Sequence, residues 1–119
     1  MEQKFDENTI YRNLKPTDLD GQDRIFENCQ FISCDLSYAD LSHFTFINCV
    51  MDNCNLSLIK ITNTGLQHID FKNCKITGVN FGDSSSFSLE VSFTKCVLDY
   101  SVWHKKKLKG TTFDECSFE

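Results

Sequence analysis

The stretch from Asn28 to Ser42, NCQFISCDLSYADLS, decides the fold because an apolar residue returns in it at every fifth position. The apolar centres of this stretch are Phe31, Leu36 and Leu41. A small residue lies two positions before each centre: Cys29, Cys34, Ala39. An α-helix would repeat every 3.6 residues and a flat strand every two, so a period of five fits neither. The pattern predicts one short strand and one corner in every five residues.

The five-residue step continues along the chain, with one interruption of two residues after Phe81. Because 40% of the residues are hydrophobic, eighteen apolar positions in one fixed register would arise by chance with a probability of about 10⁻⁷. We therefore expect all eighteen centres to lie inside the fold. The centres are Phe26, Phe31, Leu36, Leu41, Phe46, Met51, Leu56, Ile61, Leu66, Phe71, Ile76, Phe81, Phe93, Leu98, Trp103, Leu108, Phe113 and Phe118.

All seven cysteines occupy the small position two residues before a centre. The segments CDLSY, CNLSL, CKITG, CVLDY and CSFE follow one another at intervals of 20, 20, 22 and 20 residues. Four sides of five residues predict a square coil of 20 residues, and successive coils stack about 4.8 Å apart. The first expected column inside the coils is Cys34, Cys54, Cys74, Cys96 and Cys116, and Cys29 and Cys49 begin a second.

Free cysteine is among the most buried residue types, so the cysteine columns are interpreted as core packing. The Cys-x4-Cys spacing of Cys29 and Cys34 is not that of a zinc knuckle. Disulfides are disfavoured as well, because parallel side chains keep Cβ atoms about 4.8 Å apart and a bridge needs about 3.8 Å. We expect seven free thiols, no metal and no cofactor.

The repeat resembles the pentapeptide-repeat protein family over about residues 12–119, and two segments look like its bacterial members: NCNLSLIKITNTGLQHIDFKNCKITGVNF and VSFTKCVLDYSVWHKKKLKGTTFDECSFE. The resemblance implies an all-β fold, a right-handed quadrilateral parallel β-helix of about five coils. Residues 1–11 fit no register and are expected to form an N-terminal lead or cap segment. The β-helix is expected over 12–119, with an irregular side or loop at 82–92.

Some positions depart from the repeat. Bulky residues occupy small positions and are expected to make their corners bulge: Phe44, Ile59, Ile69, Val79. Lys106 also occupies a small inward position, and because an amine is costly in an apolar interior, we expect it to point outward. RNLKP and TDLDG, centred on Leu14 and Leu19, are interpreted as two early repeats.

The sequence does not indicate an enzyme. His43, His68 and His104 do not cluster along the repeat, and five glycines provide no phosphate-binding loop. A solenoid with faces one strand wide offers no cleft for paired carboxylates. The chain is therefore predicted to be a non-enzymatic interaction or scaffold module, whose protein partner is unknown.

The alternative hypothesis is a DNA mimic that binds a type II topoisomerase, DNA gyrase or topoisomerase IV, and protects it from quinolones or toxins, because the resembled family includes such proteins. Residues 1–59 contain ten acidic and four basic residues, which supports an acidic surface. The candidate interaction residues are Asp18, Asp20, Asp23, Glu27, Asp35, Asp40 and Asp52. The chain ends in mid-repeat at Glu119, and two interpretations are open: a fragment of a longer solenoid, or a last coil that pairs with a partner's end in an end-to-end homodimer.

The 119 residues suffice for one domain, and the net charge of −5 disfavours direct nucleic-acid binding. The N-terminus, MEQKFDENTI, lacks the basic and apolar regions of a signal peptide. No apolar run reaches the roughly 18 residues of a membrane span. A cytoplasmic location without membrane contact is predicted.

Overall fold

A computed structural model of the chain describes residues 4–19, 23–85 and 89–119. Within these residues the strands form one nine-stranded sheet whose pairings are parallel. The strands are β1 Phe5–Glu7, β2 Ile10–Arg12, β3 Ile25–Glu27, β4 Gln30–Ile32, β5 Thr45–Ile47, β6 Val50–Asp52, β7 Gly65–Lys72, β8 Glu90–Thr94 and β9 Thr112–Asp114. Two 3-10 turns, Pro16–Asp18 and Phe81–Asp83, are the helical segments of the described chain, and neither is long enough to cross a membrane.

The chain winds as a solenoid with four sides. Side 1 contains β1, β3, β5 and the start of β7; side 2 contains β2, β4, β6, the rest of β7, β8 and β9. Isolated bridges such as Asp35↔Asn55 mark side 3, and Asp40↔Lys60 and Asn80↔Val102 mark side 4. The predicted parallel β-solenoid of about five coils is confirmed.

Coil winding begins earlier than the sequence analysis placed it. Asp6 pairs with Phe26 and Tyr11 pairs with Phe31, so β1 and β2 belong to the first coil rather than to a separate lead segment. The backbone carbonyl of Leu14 accepts from the amide of Asp35, which places Leu14 at the small position below Cys34. Leu14 and Leu19 are therefore not centres, and the register assigned to RNLKP and TDLDG was wrong.

A polar cluster replaces the apolar centre in the first coil. Arg24 is 4% exposed and its guanidinium lies 2.7 Å from Asp6, whose carboxylate also accepts from the Tyr11 hydroxyl. Burial opposes ionisation of Asp6, but the hydrogen bonds from Tyr11 and Arg24 and the charge of Arg24 lower its pKa overall. The guanidinium also lies 4.8 Å above the Phe26 ring. The charge of Arg24 is thus neutralised next to the aromatic core.

Aromatic rings stack from coil to coil along the interior. Phe26 stacks on Phe46 with ring centroids 5.2 Å apart, and Phe93 lies between Phe71 and Phe113 at 5.0 and 5.3 Å. Fourteen of the eighteen predicted centres, Phe26 to Leu98, are buried. The last four are not fully enclosed, so that part of the prediction was wrong: Trp103, Leu108, Phe113 and Phe118. The physical reason is that no coil in the described chain lies over them.

The bulky residues at small positions are mostly accommodated inside. Phe44, Ile69 and Val79 are at most 1% exposed, and Ile59 packs partly buried against the core. Beside Ile69 the strand pairing shifts register, as expected of a bulge, but the corners do not turn these side chains outward.

The irregular segment is shorter than the expected range 82–92, because regular structure resumes before residue 92. After the turn Phe81–Asp83, Leu89 is fully buried and β8 already begins at Glu90; residues 86–88 lie outside the described chain. Lys106 does not point freely outward, since its Nζ donates to the Ser84 carbonyl oxygen at 2.8 Å. The carbonyl supplies the polar partner that makes partial burial of this amine tolerable.

Candidate protein-interaction surface

The acidic residues predicted as a surface are distributed over all four sides. Glu27 ends β3 on side 1, Asp52 ends β6 on side 2, and Asp35 and Asp40 lie on sides 3 and 4. Asp18 lies in the first 3-10 turn and Asp23 at a corner, both exposed, whereas Asp20 lies outside the described residues.

Lysines and neutral side chains interrupt the acidic columns. Asp40 is followed one coil later by Lys60, and Asp52 by Lys72. On side 3, Asp35 is followed by Asn55 and then Lys75. The described chain therefore has no continuous acidic stripe through these residues.

Two of the carboxylates also support corners. Asp35 accepts from the hydroxyl and amide of Ser37 at 2.8 and 3.2 Å, and Asp40 accepts from the Ser42 amide at 3.0 Å. Hydrogen bonds from these serines lower the pKa of both carboxyl groups, so both are charged at neutral pH. Such side-chain-to-backbone bonds two residues ahead stabilise a turn. Each carboxylate therefore has a structural role as well as its charge.

The cysteine columns lie inside the coils. Cys34, Cys54, Cys74 and Cys96 are each 2% exposed, Cys116 is half-buried, and all seven thiols are free. Each thiol lies within donating distance of two backbone carbonyl oxygens, one in the coil below and one in its own coil, as Cys74 does at 3.2 Å from Met51 and 3.3 Å from Lys72. The described residues contain no group of side chains that could hold a metal ion.

The buried thiols differ in acidity, even within one column. Burial raises the pKa of Cys49 to about 11 and raises that of Cys34. Hydrogen bonding by the Cys74 thiol raises its own pKa and lowers the pKa of Cys54 and Cys96 to about 7. Cys54 and Cys96 are each 2% exposed, so access to these two thiols is restricted.

A shallow groove of about 800 Å³ lies at the corner between sides 1 and 2, beside the two-residue interruption. In it His68 Nε2 lies 3.1 Å from a Glu90 oxygen, and Asp70 accepts from the Ser92 hydroxyl. The thiol on its wall, Cys49, is 1% exposed and bonded to carbonyls. These polar side chains pair with one another or with backbone carbonyls, and they do not place a nucleophile next to a general base.

The corner between sides 3 and 4 exposes apolar side chains one above another. We call this column the tyrosine ridge and define it as Tyr38, Leu58, Gly78 and Tyr100. The amides of its first three members donate in turn to Ser57, Thr77 and Asp99 of the following coil, each at 2.9 Å. The side chains of Tyr38, Leu58 and Tyr100 are 75, 45 and 73% exposed. Two further exposed apolar residues flank the ridge: Val97, Val102.

The backbone of the ridge is left-handed, with φ of 64° at Tyr38, 58° at Leu58 and 61° at Tyr100. For residues other than glycine or asparagine this conformation costs roughly 1–2 kcal/mol. Seven other corners place asparagine there, and a further seven place other residues: Asp23, Ser33, His43, His68, Lys95, Lys105, Glu115. Left-handed corners are thus common throughout this fold, and the ridge differs from the others in placing two exposed tyrosines and an exposed leucine in one column. The periodic pattern of small and apolar positions does not include this corner position, so it gave no signal for the ridge.

The fold places this chain among known proteins. The family model for the pentapeptide repeat region matches residues 24–89, which is more than half of the chain. The chain belongs to the pentapeptide repeat family. Comparison with curated proteins finds no match.

Solved structures share the fold of this pentapeptide-repeat protein. The pentapeptide repeat protein Rfr23 from the cyanobacterium Cyanothece 51142 is 16% identical with a TM-score of 0.73, over 98% of this chain and 88% of Rfr23. QnrB1, a plasmid-mediated fluoroquinolone resistance protein, also matches. A trypsin-treated form of QnrB1 is 21% identical, with a TM-score of 0.34, and the match covers 99% of this chain and 73% of that one. The full-length form is 15% identical, with a TM-score of 0.33, and the match covers 99% of this chain and 94% of that one. Likeness at that level carries no argument about function.

Proposed function

We propose that this pentapeptide-repeat protein is a non-enzymatic interaction module and that a protein partner docks on the tyrosine ridge. The observation that carries the proposal is the pair of tyrosines, 75 and 73% exposed in left-handed backbone. Tyrosine is enriched at protein interfaces, where it buries a large ring and keeps a polar tip. Seven free thiols favour a reducing compartment such as the cytoplasm.

Replacing the ridge tyrosines by asparagine tests this proposal. Asparagine tolerates left-handed backbone, so the variant Tyr38→Asn/Tyr100→Asn should fold at least as stably as the native protein. We expect it to retain less than about a tenth of the binding, since interface tyrosines often contribute 2 kcal/mol or more. The measurement is affinity capture from cytosol, with captured proteins quantified by mass spectrometry.

The matched control is His43→Asn/Lys95→Asn, which changes two other corner residues with φ of 68° and 54°. This control should capture the same proteins as the native chain. Equal capture by the ridge variant and the control would remove the ridge as the docking surface.

The second candidate function is a mimic of DNA that binds DNA gyrase or topoisomerase IV. The excess of acids in residues 1–59 favours it, but Lys60, Lys72 and Lys75 follow the acids in their columns. We expect micromolar protein to leave gyrase supercoiling unchanged at low salt. An effect that weakens as salt rises would contradict this expectation and favour the mimic, because screening reduces charge recognition.

The end-to-end homodimer stays a prediction. In its favour, Leu108, Phe113 and Phe118 of the last coil are 38, 37 and 52% exposed. A second chain stacked on this end would cover these side chains.

A further inference from the structure

Side 3 carries opposite charges at equal distances from its middle. The bridges Asp35↔Asn55 and Asn55↔Lys75 place these three residues in one column, in successive coils. With coils about 4.8 Å apart, the carboxylate and the amine lie one coil below and one coil above Asn55. Asp35 and Lys75 are both exposed. A column of this kind is complementary to its own reverse.

We propose that side 3 and the tyrosine ridge bind a second copy of this chain in antiparallel orientation, about a two-fold axis at the level of Asn55. This inference rests on the proposed function, because it names the partner of the ridge. The two-fold axis lies in the plane of the interface, perpendicular to the long axes of the two solenoids. It reverses the order of the coils in the second copy, but the ridge of one copy still lies opposite the ridge of the other. Asp35 of each copy then faces Lys75 of the other, twice in the dimer. Such an isologous contact is the commonest arrangement of homodimers.

The ridge fits the same axis. Leu58 lies in the coil of Asn55, so it meets Leu58 of the second copy, and Tyr38 meets Gly78. A Cβ at Gly78 would lie 2.7 Å from Leu58 Cδ2, which shows that Leu58 leans across the glycine. The ring of Tyr38 from the second copy can pack on that leucine. Tyr100, two coils from the axis, faces the first coil of the second copy.

Repulsion between the two Asp52 carboxylates opposes association. Asp52 ends side 2 next to side 3 in the coil of the axis, so it approaches Asp52 of the second copy at the margin of the contact; Lys72 of each chain lies one coil away and reduces the repulsion. A contact one face wide falls in the class of small interfaces that form weak or transient complexes. We therefore expect a dimer that forms at micromolar or higher concentration.

Reversing the charge at position 35 or 75 tests this proposal. Sedimentation velocity of the full chain, over about 10 μM to 1 mM, measures the dimer dissociation constant of each variant. Asp35→Lys places two lysines opposite each other at both contacts, and Lys75→Asp places two aspartates there. Each variant alone should raise the dimer dissociation constant at least about tenfold. In an equimolar mixture, the introduced lysine of one chain faces the introduced aspartate of the other, and native Lys75 faces native Asp35. The mixture should regain dimers with a dissociation constant within about threefold of the native one.

The matched controls are Asp40→Lys and Lys60→Asp on side 4, where Asp40 supports a corner as Asp35 does. They should dimerise as the native chain does. A native chain that stays monomeric at 1 mM overturns the proposal, and so do single variants that dimerise normally or a mixture that does not recover. If the native chain is monomeric but Tyr38→Asn/Tyr100→Asn still abolishes capture of another protein, the proposed function stands without this inference.

Discussion

Phe71→Asp should abolish folding. Phe71 is 4% exposed, lies above Met51, and stacks on Phe93 with ring centroids 5.0 Å apart. Loss of such a ring alone costs about 3–5 kcal/mol, and a carboxylate in the same apolar column adds several more. Domains of this size have about 5–15 kcal/mol of stability in total. We expect a disordered chain by circular dichroism, without a cooperative unfolding transition.

Two further variants make this result interpretable. Lys72→Asp changes the next residue, which is exposed, and should cost at most about 1 kcal/mol, mainly because it meets Asp52 of the coil below. Phe71→Leu keeps an apolar side chain and should remain folded with lower stability. If Phe71→Asp and Lys72→Asp were tolerated equally, the five-residue register would be wrong.

Periodicity predicts which side chains face inward, but it does not predict what covers them. Phe113 has the same repeat position as Phe93, yet the first is 37% exposed and the second is fully buried. The difference is the number of coils above each ring, which is a property of position in the stack. The centres at Leu108 and Phe118 were misjudged for the same reason.

The first coil was missed because Asp6, at one of its centres, is not apolar. Asp6 lies in the column of Phe26 and Phe46, and a carboxylate there would be excluded by any rule based on hydropathy. Arg24 and Tyr11 make it acceptable by donating to it. A tertiary ion pair of this kind has no local signature in the sequence.

The scatter of the acidic residues follows from the repeat itself. Asp35 and Asp40 are five residues apart, so they lie on neighbouring sides and face different directions. Acids gathered in one half of a solenoid sequence therefore share coils rather than a surface. Residues 20 positions apart lie one above the other on the same side, and on side 4 this places Lys60 above Asp40. The left-handed corners, by contrast, depend on φ, so the strain at the tyrosine ridge required the structure.

The cysteine columns should show a large difference in thiol reactivity between the native and unfolded states. In the native protein six thiols are at most 2% exposed, and Cys116, at the end of its column, is half-buried. We expect an aromatic disulfide reagent to modify Cys116 first. The other six should react at least about 100-fold more slowly, because an opening free energy of about 3 kcal/mol is needed to expose them. Absorbance of the released thiolate measures both phases.

The order of reaction along the column tests the packing directly. Coils open most easily at an end, so Cys96 should follow Cys116, and Cys74 should be slower still, although hydrogen bonding lowers the pKa of both Cys54 and Cys96 to about 7. Cys116→Ser should remove the fast phase and leave the six slow thiols. In denaturant all seven should react without prior reduction. Fewer than seven would reveal a disulfide, and rapid reaction of Cys54 in the native state would show that ionisation rather than access controls these thiols.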